Sequence, residues 1–175
     1  MRMFQTVTFG LSRLSAGLAC LLVVAMVLHI LYEIVLRTFF SSSTFVLDEF
    51  VGYAVAATTF LALGYSFEHG SLIRVGLLIE RLDDGSRRVA EIVCGIATLI
   101  VMGGLTWHFW LILWRSWVRG RVSSSIAEVP MWIPESLVFA GAFIFCLQLV
   151  AYLVRQLTNE APPVVVEKFD IQHDL

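Results

Sequence analysis

Four long apolar stretches constrain this sequence more than any other feature. Each is about 20 residues or longer, the length that an α-helix needs to cross a bilayer core about 30 Å thick. They lie at about 14–36, 45–67, 89–114 and 137–157. Of the 175 residues, 58% are hydrophobic and 15% are charged, which is too apolar for a soluble domain of this length. We therefore predict an all-α integral membrane protein with four transmembrane helices, followed by a tail at 158–175.

The first apolar stretch could alternatively be a signal peptide, because it lies near the N-terminus. However, it is longer than the apolar region of a signal peptide, and no small-residue cleavage pattern follows it. We therefore interpret the stretch between Arg13 and Arg37 as a membrane span.

The connection between the second and third spans carries a short amphipathic pattern. Its apolar residues recur at helical spacing, at Val75, Leu78, Ile79 and Leu82, with Arg74, Glu80 and Arg81 between them. This pattern predicts a short helix that lies in the membrane interface, with Arg74 and Arg81 as anchors. An ordinary cytoplasmic loop with a few leucines remains the alternative.

Lysine and arginine are distributed unevenly over the two sides of the four predicted spans. One side holds Arg2, Arg13, Arg74, Arg81, Arg87, Arg88, Arg155 and Lys168, and the other holds Arg37, Arg115, Arg119 and Arg121. Cytoplasmic loops carry the excess of these residues. Both termini, and the tail at 158–175 with them, are therefore predicted to be cytoplasmic.

Three polar residues share one face of the first predicted helix near its outer end. His29, Glu33 and Arg37 are spaced four apart. Two interpretations stay open: the stripe meets a polar surface of a partner subunit, or Glu33 and Arg37 form an ion pair at headgroup level.

The second predicted span begins with acidic residues and continues with small ones. Asp48 and Glu49 precede Gly52, Ala56 and Gly64, which lie at multiples of four. Small residues at this spacing allow another helix to approach closely. We therefore expect Gly52 and Ala56 to lie at a partner interface, and Asp48 and Glu49 to lie near it unless they merely reach the headgroups.

Four tryptophans mark the outer end of the third predicted span. Trp107, Trp110, Trp114 and Trp117 follow at steps of three, four and three, so they line one helix face. Tryptophan favours the membrane interface, because its ring is apolar and its N–H group stays hydrated. We interpret the four side chains as membrane anchors, with a partner-binding aromatic face as the alternative.

Several function classes lack support in the sequence. No motif for nucleophilic catalysis, phosphate binding or zinc binding is found, and no basic patch for nucleic acid is present. A transporter acting alone would need a repeat or mid-span polar residues, and a channel would need a polar stripe through the spans. An auxiliary subunit without enzymatic activity or cofactor remains. The alternative is a haem-binding membrane anchor of a respiratory enzyme, with His29 and His108 as axial ligands.

The order of several short motifs resembles a known transporter family. These are Arg37, the segment Leu47-Asp48-Glu49-Phe50, the segment from Glu68 to Val75, and Val129-Pro130-Met131-Trp132-Ile133-Pro134 before the fourth span. Together they are similar to the small membrane subunit of tripartite ATP-independent periplasmic (TRAP) transporters, the DctQ-like small permease component.

The resemblance implies an assembly in the bacterial inner membrane. The partners would be a large multi-span permease subunit, which holds the substrate and sodium sites, and a soluble periplasmic substrate-binding protein. The small subunit would be a non-catalytic scaffold in the lipid bilayer. The implied activity is sodium-coupled uptake of organic acids such as C4-dicarboxylates or sialic acid.

Overall fold

The described part of the chain forms four long α-helices. The computed structural model describes residues 2–68 and 84–158. The helices are α1 (Arg2–Phe40), α2 (Leu47–Glu68), α3 (Asp84–Arg119) and α4 (Trp132–Thr158). Each is long and apolar enough to cross a membrane, which confirms the predicted all-α membrane fold. The predicted interfacial helix, with Arg74 and Arg81, lies outside the described residues.

The helices extend beyond the apolar stretches that mark the predicted spans. With 36 residues, α3 is about 54 Å long at a rise of 1.5 Å per residue, so its ends reach past a hydrocarbon core of about 30 Å. α4 begins at Trp132, before the predicted span, and Pro134 falls in its first turn. Proline is tolerated there, since the N–H groups of a first turn have no acceptor within the helix.

The helix α4 forms the centre of the bundle. It packs against α1, α2 and α3, and α2 also packs against α1. In its most hydrophobic segment 44% of the residues are buried, compared with 11%, 17% and 11% in α1, α2 and α3. The outer helices therefore present most of their apolar side chains to lipid or to another protein.

The two described ends of the chain lie at the same end of the bundle, called here the terminal end. Gln148 of α4 donates a hydrogen bond to the carbonyl of Thr8 in α1 at 2.9 Å. The opposite end, called here the loop end, holds the α1–α2 connection and the segment that joins α3 to α4. This arrangement agrees with the expectation that both termini lie on one side of the membrane, while the assignment of that side to the cytoplasm stays a prediction.

α4 approaches the backbone of α2 very closely at Gly141. A Cβ atom there would lie 2.5 Å from the carbonyl carbon of Phe60 and 2.7 Å from the nitrogen of Leu61, both in the backbone of α2. Only glycine permits this approach. Beside it, the hydroxyl of Ser15 in α1 donates a hydrogen bond to the carbonyl of Leu61 at 3.0 Å, so α2 is held from two sides.

A compact hairpin-like loop joins α3 to α4. Gly120 ends α3 with a φ of 56°, and its N–H donates to the carbonyl of Trp117. The N–H of Arg121 donates to the carbonyl of Ser116, which completes a glycine-terminated helix cap. Further backbone hydrogen bonds join Ser123 to Val129 and Met131 to Arg121, each 2.9 Å long. The loop is therefore a defined surface at the loop end.

Candidate functional site

Glu33 is the centre of a polar cluster that fixes the α1–α2 connection. Its side chain is 1% exposed. The carboxylate accepts hydrogen bonds from the hydroxyl of Ser43, from Arg37 Nε at 3.0 Å, and from the N–H and hydroxyl of Thr44 at 3.1 and 2.7 Å. Ser41 and Phe45 in this connection have positive φ angles, which the cluster helps to maintain. The hydrogen-bond partners of Glu33 named here all belong to the same chain.

Of the predicted polar stripe on α1, the structure joins Glu33 and Arg37 and gives His29 different surroundings. Arg37 forms the ion pair with Glu33, but 60% of its side chain is exposed, so its guanidinium remains accessible at the loop end. His29 is half-buried, with its ring centroid 5.8 Å from that of Phe50 in α2. Of the three, Arg37 is the residue that another subunit could contact directly.

The small residues of α2 lie on two different faces. Gly64 is buried, and a Cβ atom there would contact Ile144 and Gln148 of α4 at 3.5 and 3.7 Å. Asp48, Gly52 and Ala56 are exposed, and a Cβ atom on Gly52 would meet no described atom within 4 Å. These three residues form an open stripe at the start of α2, called here the α2 face. It lets another helix approach closely.

Glu49 points away from the α2 face toward a polar cavity. It accepts a hydrogen bond from the hydroxyl of Tyr53, which lies 3.2 Å from Met131 Sδ. The cavity has a volume of about 500 Å³ and is also lined by Arg121 and by Ser123 of the α3–α4 loop. The adjacent acids Asp48 and Glu49 therefore lie on different surfaces of α2, because neighbouring helical residues are rotated by about 100°.

Two further polar contacts were not anticipated from the sequence. Ser116 is fully buried and donates a hydrogen bond of 2.9 Å to Glu135, which joins the end of α3 to the start of α4. At the terminal end, Tyr152 donates to Glu91 at 3.2 Å. The sequence did contain a signal for both contacts, because each involves a polar residue at the edge of, or inside, an apolar stretch. Such residues usually face protein rather than lipid.

The predicted tryptophan anchors are exposed at the loop end of α3. Trp107 and Trp117 are 65% and 60% exposed, and Trp110 and Trp114 stack at 6.1 Å. Trp117 also contacts Trp132 edge to face at 4.9 Å, which extends the aromatic surface to α4. Their positions are compatible with the interface, and the anchoring role stays a prediction.

Comparison with known proteins identifies the family of this chain. Residues 26–159 match the family described as tripartite ATP-independent periplasmic transporters, DctQ component. The chain belongs to the DctQ family. It is also similar to the ectoine TRAP transporter small permease protein TeaB of Halomonas elongata, with 25% identity over 158 residues, 88% of this chain and 79% of the relative. The resemblance drawn from the sequence motifs is confirmed.

As a DctQ component, the chain is a TRAP transporter small permease subunit and not an enzyme. The two histidines of the haem alternative have different surroundings in the structure. His29 packs beside Phe50 of α2, whereas His108 is exposed on α3, which packs mainly on α4. Within residues 2–68 and 84–158, no group of three potential metal ligands is present.

Proposed function

We propose that this DctQ chain is the static scaffold against which the large permease subunit of a TRAP transporter packs. The match over residues 26–159 carries this proposal. The bundle supports it, because α1, α2 and α3 expose apolar side chains along most of their length while α4 alone supplies the centre. A small subunit of this shape enlarges the immobile part of the transporter in the bilayer.

The α2 face is the proposed contact with the large subunit. Asp48, Gly52 and Ala56 are exposed there, and the absence of a side chain at Gly52 leaves room for a partner helix. Arg37 and Asp48 both lie at the loop end, where they could pair with charges of the partner. Glu33 contributes indirectly by holding the connection that leads into α2.

The orientation follows from the arginine distribution and remains part of the proposal. With both termini in the cytoplasm, the loop end faces the periplasm of a cell with an inner membrane. The α3–α4 loop and the cavity beside Glu49 would then face the soluble substrate-binding protein. The tryptophans of α3 would anchor this end of the bundle at the outer interface.

Substitution of Gly52 by leucine tests the α2 face. A leucine side chain would project into open space in this chain, so the isolated subunit should keep its fold and melting temperature. In the complex it would hold the partner helix away, because such contacts depend on close backbone approach. We expect recovery of the large subunit with the tagged chain to fall about tenfold or more, measured by quantitative mass spectrometry.

The matched control is Gly17→Leu, which makes the same change at an exposed glycine of α1 that also has no described atom within 4 Å. The control should retain the large subunit. Equal recovery in wild type and Gly52→Leu would show that the α2 face is not the contact.

Uptake measurements test the substrate class. We propose organic acids, co-transported with sodium, and the name of the Halomonas elongata relative adds ectoine as a second candidate. Vesicles that contain the native complex should accumulate one radiolabelled substrate when a sodium gradient is imposed. Accumulation that persists with potassium in place of sodium would contradict sodium coupling. If ectoine accumulates and none of the tested organic acids does, ectoine takes the place of the proposed organic acids as substrate.

A further inference from the structure

Two arginines near the end of α3 have no partner within the described part of the chain. Arg115 and Arg119 are exposed, and neither forms a hydrogen bond or ion pair with another residue of 2–68 or 84–158. They are four residues apart, so they share one helix face with Cβ atoms about 6 Å apart. Two guanidinium groups on neighbouring turns of one helix face repel each other, and an anion bound between them offsets that repulsion.

The face that carries these arginines continues into the membrane. His108 lies two turns before Arg115 on the same side and is exposed, as are Val101 and Gly104 another turn or two below. A Cβ atom on Gly104 would meet no described atom within 4 Å. The face therefore carries the two arginines at its loop end and His108 in the middle. Beyond His108 it is apolar, and Gly104 leaves an open space there.

The length of α3 and its tryptophans together indicate headgroup depth for the two arginines. The candidate span of this helix, Val89–Arg119, is longer than the hydrocarbon core requires, so at least one of its ends reaches the headgroup region. Trp114 and Trp117 are exposed in the same turns as the two arginines, and tryptophan marks this depth.

We propose that Arg115 and Arg119 bind the phosphate of an anionic phospholipid whose acyl chain lies along His108, Gly104 and Val101. The guanidinium forks match phosphate oxygens in pairs. The proposal does not depend on the contact between the α2 face and the large subunit.

An anionic lipid fits this face better than a protein helix does. A partner helix would need acidic side chains at headgroup depth opposite both arginines, whereas phosphates are present there throughout the membrane. The open position at Gly104 accommodates a flexible acyl chain as readily as a helix, so it does not distinguish the two. The two unpaired positive charges favour the anionic lipid.

The binding is measured on the purified full chain. The protein in neutral detergent is mixed with palmitoyl-oleoyl phosphatidylglycerol and phosphatidylcholine in equal amounts, and native mass spectrometry counts the lipids that remain bound. We expect wild type to prefer phosphatidylglycerol. In R115Q and R119Q, tested separately, its affinity should fall about fivefold, which is the contribution of one basic residue near an anionic lipid surface.

The control variant is R13Q, which removes an exposed arginine from the terminal half of α1, where its guanidinium lies 4.2 Å from the ring of Phe9. R13Q should keep the preference of wild type.

Circular dichroism establishes that each variant is folded, and two separate arginine variants keep the test decisive if one of them misfolds. Unchanged phosphatidylglycerol binding in both variants, or the same loss in R13Q, overturns the proposal. So does loss of the large subunit from R115Q and R119Q with lipid binding unaltered, because the face would then be a protein contact.

Discussion

Replacing Gly141 with alanine is expected to lower the free energy of unfolding of the chain by about 3 kcal/mol, near the upper end of the usual cost of overpacking a core. The added Cβ atom would lie 2.5 Å from the carbonyl carbon of Phe60 and 2.7 Å from the nitrogen of Leu61. These are backbone atoms and cannot rotate away. α2 and α4 would have to separate, and because α4 is the centre of the bundle, its other contacts would be strained as well.

The control is Gly103→Ala on α3, where an added Cβ atom meets no described atom within 4 Å. This variant should stay within about 1 kcal/mol of wild type, on the stabilising side, since alanine favours helix over glycine. Reversible unfolding in mixed detergent micelles, followed by circular dichroism, measures both variants. A Gly141→Ala protein as stable as Gly103→Ala would show that α2 and α4 do not pack as closely as described.

Replacing Glu33 with glutamine is expected to open the α1–α2 connection. The amide is similar in size, but it loses the charge and replaces one acceptor oxygen with a donor group. Thr44, Ser43 and Arg37 all donate to the carboxylate, so the amide cannot satisfy all of them. The backbone N–H of Thr44 should exchange with deuterium about tenfold faster, as measured by mass spectrometry of peptides from this segment.

Asp48→Asn provides the contrast for this experiment. Asp48 is an exposed carboxylate near the same connection, and it belongs to the α2 face rather than to the Glu33 cluster. Deuterium exchange at Thr44 should stay at the wild-type rate in Asp48→Asn, while recovery of the large subunit should fall. If Glu33→Gln left the exchange of Thr44 unchanged, the cluster would not hold the connection.

The helical architecture could be predicted from the sequence because it depends on the length and polarity of whole segments. Four apolar stretches of membrane-spanning length leave few alternatives in a chain of this composition. The prediction does not extend to which helix is central. α4 and α1 are both strongly apolar, and the central place of α4 depends on Gly141 and Gln148, whose partners lie on other helices.

The candidate surface could be predicted only in part, for a related reason. Spacing in multiples of four brings Gly52 and Ala56 close to one face, but over the twelve residues to Gly64 the position drifts by about 120° around the helix. The spacing therefore did not show that α4 covers Gly64 and leaves the other two open. Similarly, the spacing of Glu33 and Arg37 predicted a pair. The hydroxyl and N–H groups of Ser43 and Thr44, which turn that pair into a buried cluster, come from the following connection, whose path no periodicity describes.

Affinity purification of the tagged chain from native membranes tests the scaffold proposal most directly. The expected result is a large, many-span permease recovered in equal amount and identified by mass spectrometry, since a chain that presents three outer helices to its surroundings should remain with its partner in mild detergent. Recovery of the chain alone, or together with a redox enzyme, would contradict the assignment of this subunit to a TRAP transporter scaffold.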